Sequence, residues 1–245
     1  KNYKNPILDK RDGIKVFMDI RKRTKNETME PRDNLLIIVA GRKRVGKSYE
    51  SLRQLLYYGY ISQTPRKALI YDVNNEYGNY KIENKIHKIQ EIKEHDLIKY
   101  SNYKGAEVRR IVPLKNNGLP MEPEEAEALL IKTITLFRNG IILIDDLNTI
   151  FGDAMPVKFS SLLCNNAHRG ADVILQIQSV GRLLPKLLQN CEIIRFHHQL
   201  DDVDNSKGKL LGDYKIMKIA QLMVNKAVKN GNDRFFVNVY RNEGT

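Results

Sequence analysis

From residue 34 onward, short apolar runs alternate with stretches whose apolar residues recur every three or four positions. Leu35-Leu36-Ile37-Ile38-Val39-Ala40 and Ile141-Ile142-Leu143-Ile144 have no polar face, as expected of strands covered on both sides. The pattern predicts strands over 35–40, 68–73, 107–112, 141–145, 172–177, 192–197 and 235–240. It predicts helices over 47–58, 123–139, 156–168, 182–189 and 214–229. Strand and helix alternating through mostly short connections predict βαβ units, and hence an α/β domain with a mostly parallel central sheet and helices on both faces. Residues 74–106 depart from this rhythm. They are rich in Lys, Glu, Asn and His, with Ile82, Ile86, Ile89 and Ile92 as their few apolar positions, and read as a small helical insert or a peripheral loop. Residues 1–33 are polar and charge-mixed apart from Ile14, Val16, Phe17, Met18 and Ile20, and read as an N-terminal extension before one domain over 34–245.

The 245 residues are enough to bury a sizeable core. A formal charge of +12 suits an anionic macromolecular partner, or merely a solvated basic surface. Between Arg42 and Lys67 there are seven basic residues against the single acid Glu50, more than a nucleotide needs. With two cysteines, Cys164 and Cys191, and no C-x-x-C, a zinc site or disulfide framework is not expected; each reads as a small buried hydrophobe. No apolar stretch nears the ~18 residues that cross a bilayer, and Lys1-Asn2-Tyr3-Lys4-Asn5 lacks a signal-peptide core, so a cytoplasmic location is expected.

The candidate chemistry begins directly after the first apolar run. Gly41-Arg42-Lys43-Arg44-Val45-Gly46-Lys47-Ser48 fits G-x-x-x-x-G-K-[ST], the Walker A pattern. A buried strand delivers the chain to a tight turn, whose glycines let backbone N–H groups close around phosphates, at the positive end of the next helix. Gly41, Arg42, Val45, Gly46, Lys47, Ser48 and Tyr49 are the expected ATP contacts, with Lys47 on the β- and γ-phosphates and Ser48 on Mg²⁺. About a hundred residues on, Ile141-Ile142-Leu143-Ile144-Asp145-Asp146 is an apolar strand ending in two carboxylates, the Walker B pattern. Asp145 is expected to hold Mg²⁺, and Asp146 to orient or deprotonate the attacking water. Neighbouring side chains on a strand face opposite ways, so both serve only where the strand gives way to a loop. Many hydrolytic P-loop proteins carry Glu at the second position, and this chain has the shorter Asp. Val173-Ile174-Leu175-Gln176-Ile177-Gln178 is a third buried strand; Gln178 at its end suits a sensor of the γ-phosphate, and Gln176 reads as structural.

Taken together, Asn166-Ala167-His168-Arg169-Gly170-Ala171-Asp172, the Gln178 strand, Leu183 to Asn190 and Ile193-Ile194-Arg195-Phe196 resemble the FtsK/HerA superfamily over roughly 34–200. Asp72-Val73-Asn74-Asn75-Glu76-Tyr77 is similar to the Asp-x-x-x-Glu-aromatic stretch of HerA-type members. The resemblance implies a RecA-like, additional-strand P-loop NTPase fold. It implies a homo-oligomeric ring, of five or six subunits, that uses Mg-ATP to move double-stranded DNA. It also implies that Arg169 enters the neighbouring subunit's ATP site as a catalytic finger, with Arg182 as the alternative. The small size and lack of a membrane segment point to viral genome packaging, in the host cytoplasm or with the virion, docked on a capsid vertex or portal protein. Lys104, Arg109, Arg110 and Lys115 are candidates for a DNA-lining pore, or for a solvated edge. The alternatives are a phage assembly or export ATPase of the same superfamily, a small-molecule or nucleotide kinase, and a subunit that binds ATP only to assemble. A GTPase is disfavoured: Asn225-Lys226-Ala227-Val228 fails the Asn-Lys-x-Asp pattern at its last position.

Overall fold

Each of the seven predicted strands forms, with ends shifted by at most two residues. A computed structural model describes residues 35–61, 65–82, 84–151, 156–164 and 170–240; the expected N-terminal extension lies outside them. In chain order, β1 (Leu36–Ala40) leads into α1 (Lys47–Leu56), which runs on as a π turn (Tyr57–Ile61). Then come β2 (Lys67–Tyr71), β3 (Asn79–Ile82), β4 (Lys85–Lys88), β5 (Gln90–Glu91), α2 (Leu97–Asn102) and β6 (Val108–Ile111). They are followed by α3 (Pro123–Leu136), β7 (Gly140–Ile144), α4 (Asn148–Phe151), α5 (Val157–Cys164) and β8 (Ala171–Ile177). The chain closes with α6 (Pro185–Asn190), β9 (Ile193–His197), α7 (Lys207–Leu210), α8 (Tyr214–Lys229) and β10 (Phe236–Tyr240).

Eight strands form one sheet in the order β10-β9-β1-β8-β7-β2-β6-β5. Every pairing is parallel except that of the edge strand β10 with β9. Strand β8 therefore separates the P-loop strand β1 from β7, the insertion that defines the additional-strand class. Alternate residues of the parallel strands feed two cores. Ile37, Val39, Ile141, Leu143 and Ile174 meet Leu52, Leu55 and Leu56 of α1. Ile38, Leu69, Ile142, Val173, Leu175 and Ile194 meet α3, α5, α6 and α8 on the other face. Each aliphatic side chain fully buried here contributes roughly 1.5–3 kcal/mol.

Helix ends follow local chemistry. Pro123 stands in the first turn of α3, where its missing N–H costs nothing, and Glu125 accepts from the Glu122 N–H at 2.9 Å. Helix α8 stops at Asn230 and Gly231, whose φ of 85° is a left-handed stop after the basic residues Lys226 and Lys229. The segment 74–106 differs from its sequence reading. Among its described residues it holds, besides a 3-10 turn (Glu94–Asp96) and the short helix α2, an antiparallel hairpin, β3 with β4, followed by β5, which extends the main sheet beyond β6.

The entry end of the sheet is stapled by one arginine. Arg66 donates to Asp172 at 2.5 Å and to the carbonyls of Gly140 and Gly170 at 3.0 and 2.8 Å, while Asp172 also accepts from the Leu35 N–H at 3.0 Å. It thereby joins the starts of β2, β7 and β8 across a part-buried ion pair. Arg66→Met keeps the stem and removes these donors. It should cost about 2 kcal/mol, less than the figure for a fully buried pair, read as a lower urea midpoint with an unchanged slope.

Candidate functional site

The turn after β1 is held on the ends of its neighbouring strands. The Gly41 N–H donates to the Ile177 carbonyl at 3.1 Å, and the Arg42 N–H to the His198 carbonyl at 2.8 Å. A Cβ on Gly41 would lie 2.6 Å from the Cβ of His197, so only glycine permits this seat. Arg44 and Gly46 have φ of 67° and 91°, and these left-handed steps on either side of buried Val45 curl the backbone N–H groups inward as a nest. Gly46 is also the N-cap of α1, so the helix opens at the nest. The Lys47 ammonium donates to the Gly41 and Arg42 carbonyls at 2.5 and 2.9 Å. Burial pulls its pKa below 10.5, partly offset by Asp145 and Asp146.

The carboxylates arrive from the neighbouring strands. Strand β7 ends at Ile144, paired with Tyr71 of β2 and Leu175 of β8, so Asp72, Asp145 and Gln176 stand level one residue further on. All three are buried on the α1 face. Asp146 then takes φ of 39°, a left-handed step that lets it turn toward the site although it follows Asp145 directly. The Gln178 amide reaches the Asp146 carboxylate at 3.4 Å. Gln176, read from sequence as structural, also touches the site: the Ser48 hydroxyl lies 3.4 Å from its Oε1. The structure thus gathers Lys47, Ser48, Asp145, Asp146, Gln176 and Gln178 at the carboxyl edge of the sheet.

The electrostatics are those of a desolvated acidic pair. Asp145 is pushed up to about 7, by burial first and then by Asp146. Ser48 and Asp145 offer oxygen donors suited to a hard divalent cation. The fit is supported by two orphaned polar atoms in the same place. Tyr77 Oη and Gln176 Nε2 are buried and make no well-formed hydrogen bond among the described residues. The Tyr77 hydroxyl faces Asp145 and Ser48, and burial raises its own pKa well above 10. Among the described residues no three His, Cys, Asp or Glu side chains converge as a metal cage. A cation on Ser48 and Asp145 would take its other ligands from water and phosphate, as Mg²⁺ commonly does.

Other expected residues fall into different places. Arg169 and His168 lie outside the described residues, as does the side chain of Arg182. Cys191 is a buried thiol near the Leu188 carbonyl. Asp72 accepts from the Glu76 and Tyr77 N–H groups at 2.8 and 3.0 Å and pairs with Arg110 at 2.8 Å, so it caps a turn and supports the site at once. Of the pore candidates, Arg110 is thereby occupied, Arg109 pairs with Glu107 at 2.8 Å, and Lys115 pairs with Glu125 at 3.2 Å. Lys104 makes no ion pair among the described residues and is exposed. Sequence reading also missed two neighbours of the P-loop. His197 is buried against Gly41, its pKa lowered to about 3 by burial and then by Arg195 and Lys47. Arg234, from the loop before β10, lies beside Gly46 with its guanidinium 5.9 Å over the Tyr49 ring. Neither carries a sequence signal, since each is brought in by strand order alone.

No protein-family model matches the chain, and no curated protein matches it. Solved structures share its fold. The genome packaging NTPase B204 from Sulfolobus turreted icosahedral virus 2, in complex with AMP, is 19% identical over 89% of this chain and 96% of that one, with a TM-score of 0.52. Its complex with sulfate aligns at 16% identity over 87% and 95%, with a TM-score of 0.52. Its complex with AMPPCP gives 19% identity over 87% and 95%, with a TM-score of 0.50. The fold is that of a P-loop NTPase. Among the described residues no helix is long and apolar enough to cross a membrane.

The buried carboxylate makes the cation-free chain pH-sensitive. Asp145 titrates near 3.8 when exposed and at about 7 in the fold, so between these values the folded chain keeps a proton that the unfolded chain has lost. Stability from this group therefore falls as pH rises through that window. Asp145→Asn has no proton to lose. In chelator the two proteins should melt alike near pH 4, and at pH 8 the variant should melt higher, each 1 kcal/mol appearing as roughly 2–4 °C. The His197 contribution runs the opposite way but is common to both proteins and cancels in the comparison.

Proposed function

We propose that this chain is an Mg-ATP-dependent oligomeric motor that moves double-stranded DNA, acting in viral genome packaging. The observation that carries the reading is the meeting of Lys47, Ser48, Asp145, Asp146 and Gln178 at one sheet edge, with β8 set between β1 and β7. The shared fold of an NTPase named for genome packaging supports the choice of task, and a charge of +12 suits a polyanionic track.

On this reading the backbone N–H groups from Gly41 to Tyr49 cradle the phosphates. Lys47 exchanges its two carbonyl bonds for the β- and γ-phosphates. Ser48 and Asp145 would hold Mg²⁺, whose chemistry here is to neutralise charge gathering on the phosphate oxygens. Asp146 orients the attacking water and accepts its proton, and Gln178 links that carboxylate to β8. Arg169 serves a neighbouring copy in trans. Support comes from Gly170, its neighbour in the chain, which stands before the first residue of β8, on the order of 20 Å of strand from the P-loop edge at ~3.3 Å per residue. In a ring of five or six copies each ATP would then lie between two subunits, and a capsid vertex or portal protein would be the docking partner.

ATP hydrolysis measured with and without duplex DNA tests the motor. Duplex of any sequence should stimulate turnover, with a steep loss of binding as salt rises. A rate indifferent to DNA would favour the assembly, export or kinase readings. Lys47→Ala and Asp146→Asn should each lower turnover by roughly 10²-fold or more while leaving the melting curve nearly unchanged.

The shared site has its own test. Arg169→Ala should bind ATP nearly normally and hydrolyse it about 10³-fold more slowly. Mixing it with Lys47→Ala should recover part of the activity, because some interfaces then join an intact P-loop to an intact arginine. Mixed rings without recovery would remove Arg169 from the shared site.

A further inference from the structure

The strongest unexplained feature of the site is a phenol. Tyr77 is fully buried, in the loop between β2 and the hairpin, and its hydroxyl lies beside the Asp145 carboxylate and the Ser48 hydroxyl without a well-formed hydrogen bond to either. Buried polar atoms in folded proteins are normally paired, and leaving one unpaired costs roughly 1–3 kcal/mol. Phenylalanine would fill the same space without that cost. The hydroxyl also points somewhere specific. It faces the Asp145 carboxylate and the Ser48 hydroxyl, and the second orphaned atom, Gln176 Nε2, belongs to the side chain that touches Ser48 from the other side.

The ring is held in that pose by contacts that do not involve the hydroxyl. Asp72 accepts from the Tyr77 N–H at 3.0 Å and is itself fixed by Arg110. The Tyr80 ring stacks on Tyr77 with centroids 5.5 Å apart and planes 14° from parallel. Ring, backbone and support are all satisfied; the oxygen alone is loosely held, beside the two groups proposed to hold the cation.

We infer that Tyr77 is a positioning residue for the divalent cation, its O–H donating to the Asp145 carboxylate and its oxygen accepting from a cation-bound water. The inference rests on the nucleotide-site reading above. A group in this position acts through the ligand that it orients, and loss of such outer contacts typically lowers metal affinity by about 10–100-fold.

The test is Tyr77→Phe, which keeps the ring and its stack on Tyr80. Free Mn²⁺ is titrated by electron paramagnetic resonance in the presence of AMPPCP, and AMPPCP binding is measured separately in chelator. The variant should bind Mn²⁺ about tenfold more weakly, bind AMPPCP in chelator as wild type does, and melt no lower than wild type in chelator. Equal Mn²⁺ affinity in the two proteins would overturn the role of Tyr77 while leaving the nucleotide site standing. A lower melting temperature without cation would make the hydroxyl structural and also overturn it. Wild-type AMPPCP binding that ignores Mn²⁺ would overturn the cation site itself, and the role of Tyr77 with it.

Discussion

The seating of the turn after β1 on the ends of β8 and β9 is the constraint on which the rest of the site depends. Two backbone hydrogen bonds, from Gly41 to Ile177 and from Arg42 to His198, fix where the turn begins. Because Gly41 has no side chain, β9 can bring His197 against it, and His197 Nδ1 then lies 3.2 Å from the Val45 carbonyl. The nest is thus shaped by contacts within the chain itself. Lys47 adds side-chain bonds to the Gly41 and Arg42 carbonyls of the same turn.

Parallel register does the second part of the work. Since β2, β7 and β8 run together, residues one step beyond their last paired positions fall in one row, and that row holds Asp72, Asp145 and Gln176. Three polar side chains buried side by side weaken the core locally, which the raised pKa of Asp145 and the unpaired atoms of Tyr77 and Gln176 make visible. The surrounding strands compensate, with Ile38, Ile70, Leu143 and Leu175 fully buried to either side.

Much of this was legible in the sequence, and the limits have physical causes. Strands covered on both faces must be apolar throughout, so β1, β7 and β8 stand out from any helix. The P-loop and the paired carboxylates are local patterns and need no knowledge of the fold. The hairpin was hidden because β3 and β4 are mostly polar and exposed, with Ile82 alone buried, so neither alternates cleanly. Edge strand β5 is two residues long and has no pattern to show. Arg109 and Arg110 looked free because their charge carries no mark of its partner, and Asp72 is 38 positions away from Arg110. Gln176, His197 and Arg234 become site neighbours only through strand order, which no single stretch of sequence encodes, whereas Tyr77 closes the Asp72–Tyr77 stretch that the sequence already set apart.

The left-handed backbone at Asp146 bears on how this site can change over evolutionary time. With φ of 39°, the position tolerates Asp, Asn and Gly far better than longer side chains. Glutamate, common at this place in hydrolytic P-loop proteins, would have to be accommodated in a conformation that disfavours it by about 1 kcal/mol or more. The short carboxylate and the turn beneath it are therefore coupled through one torsion angle. A lineage exchanging Asp for Glu here would first have to rebuild the exit from β7, so sequence drift at residue 146 is bounded by a torsion angle as well as by chemistry.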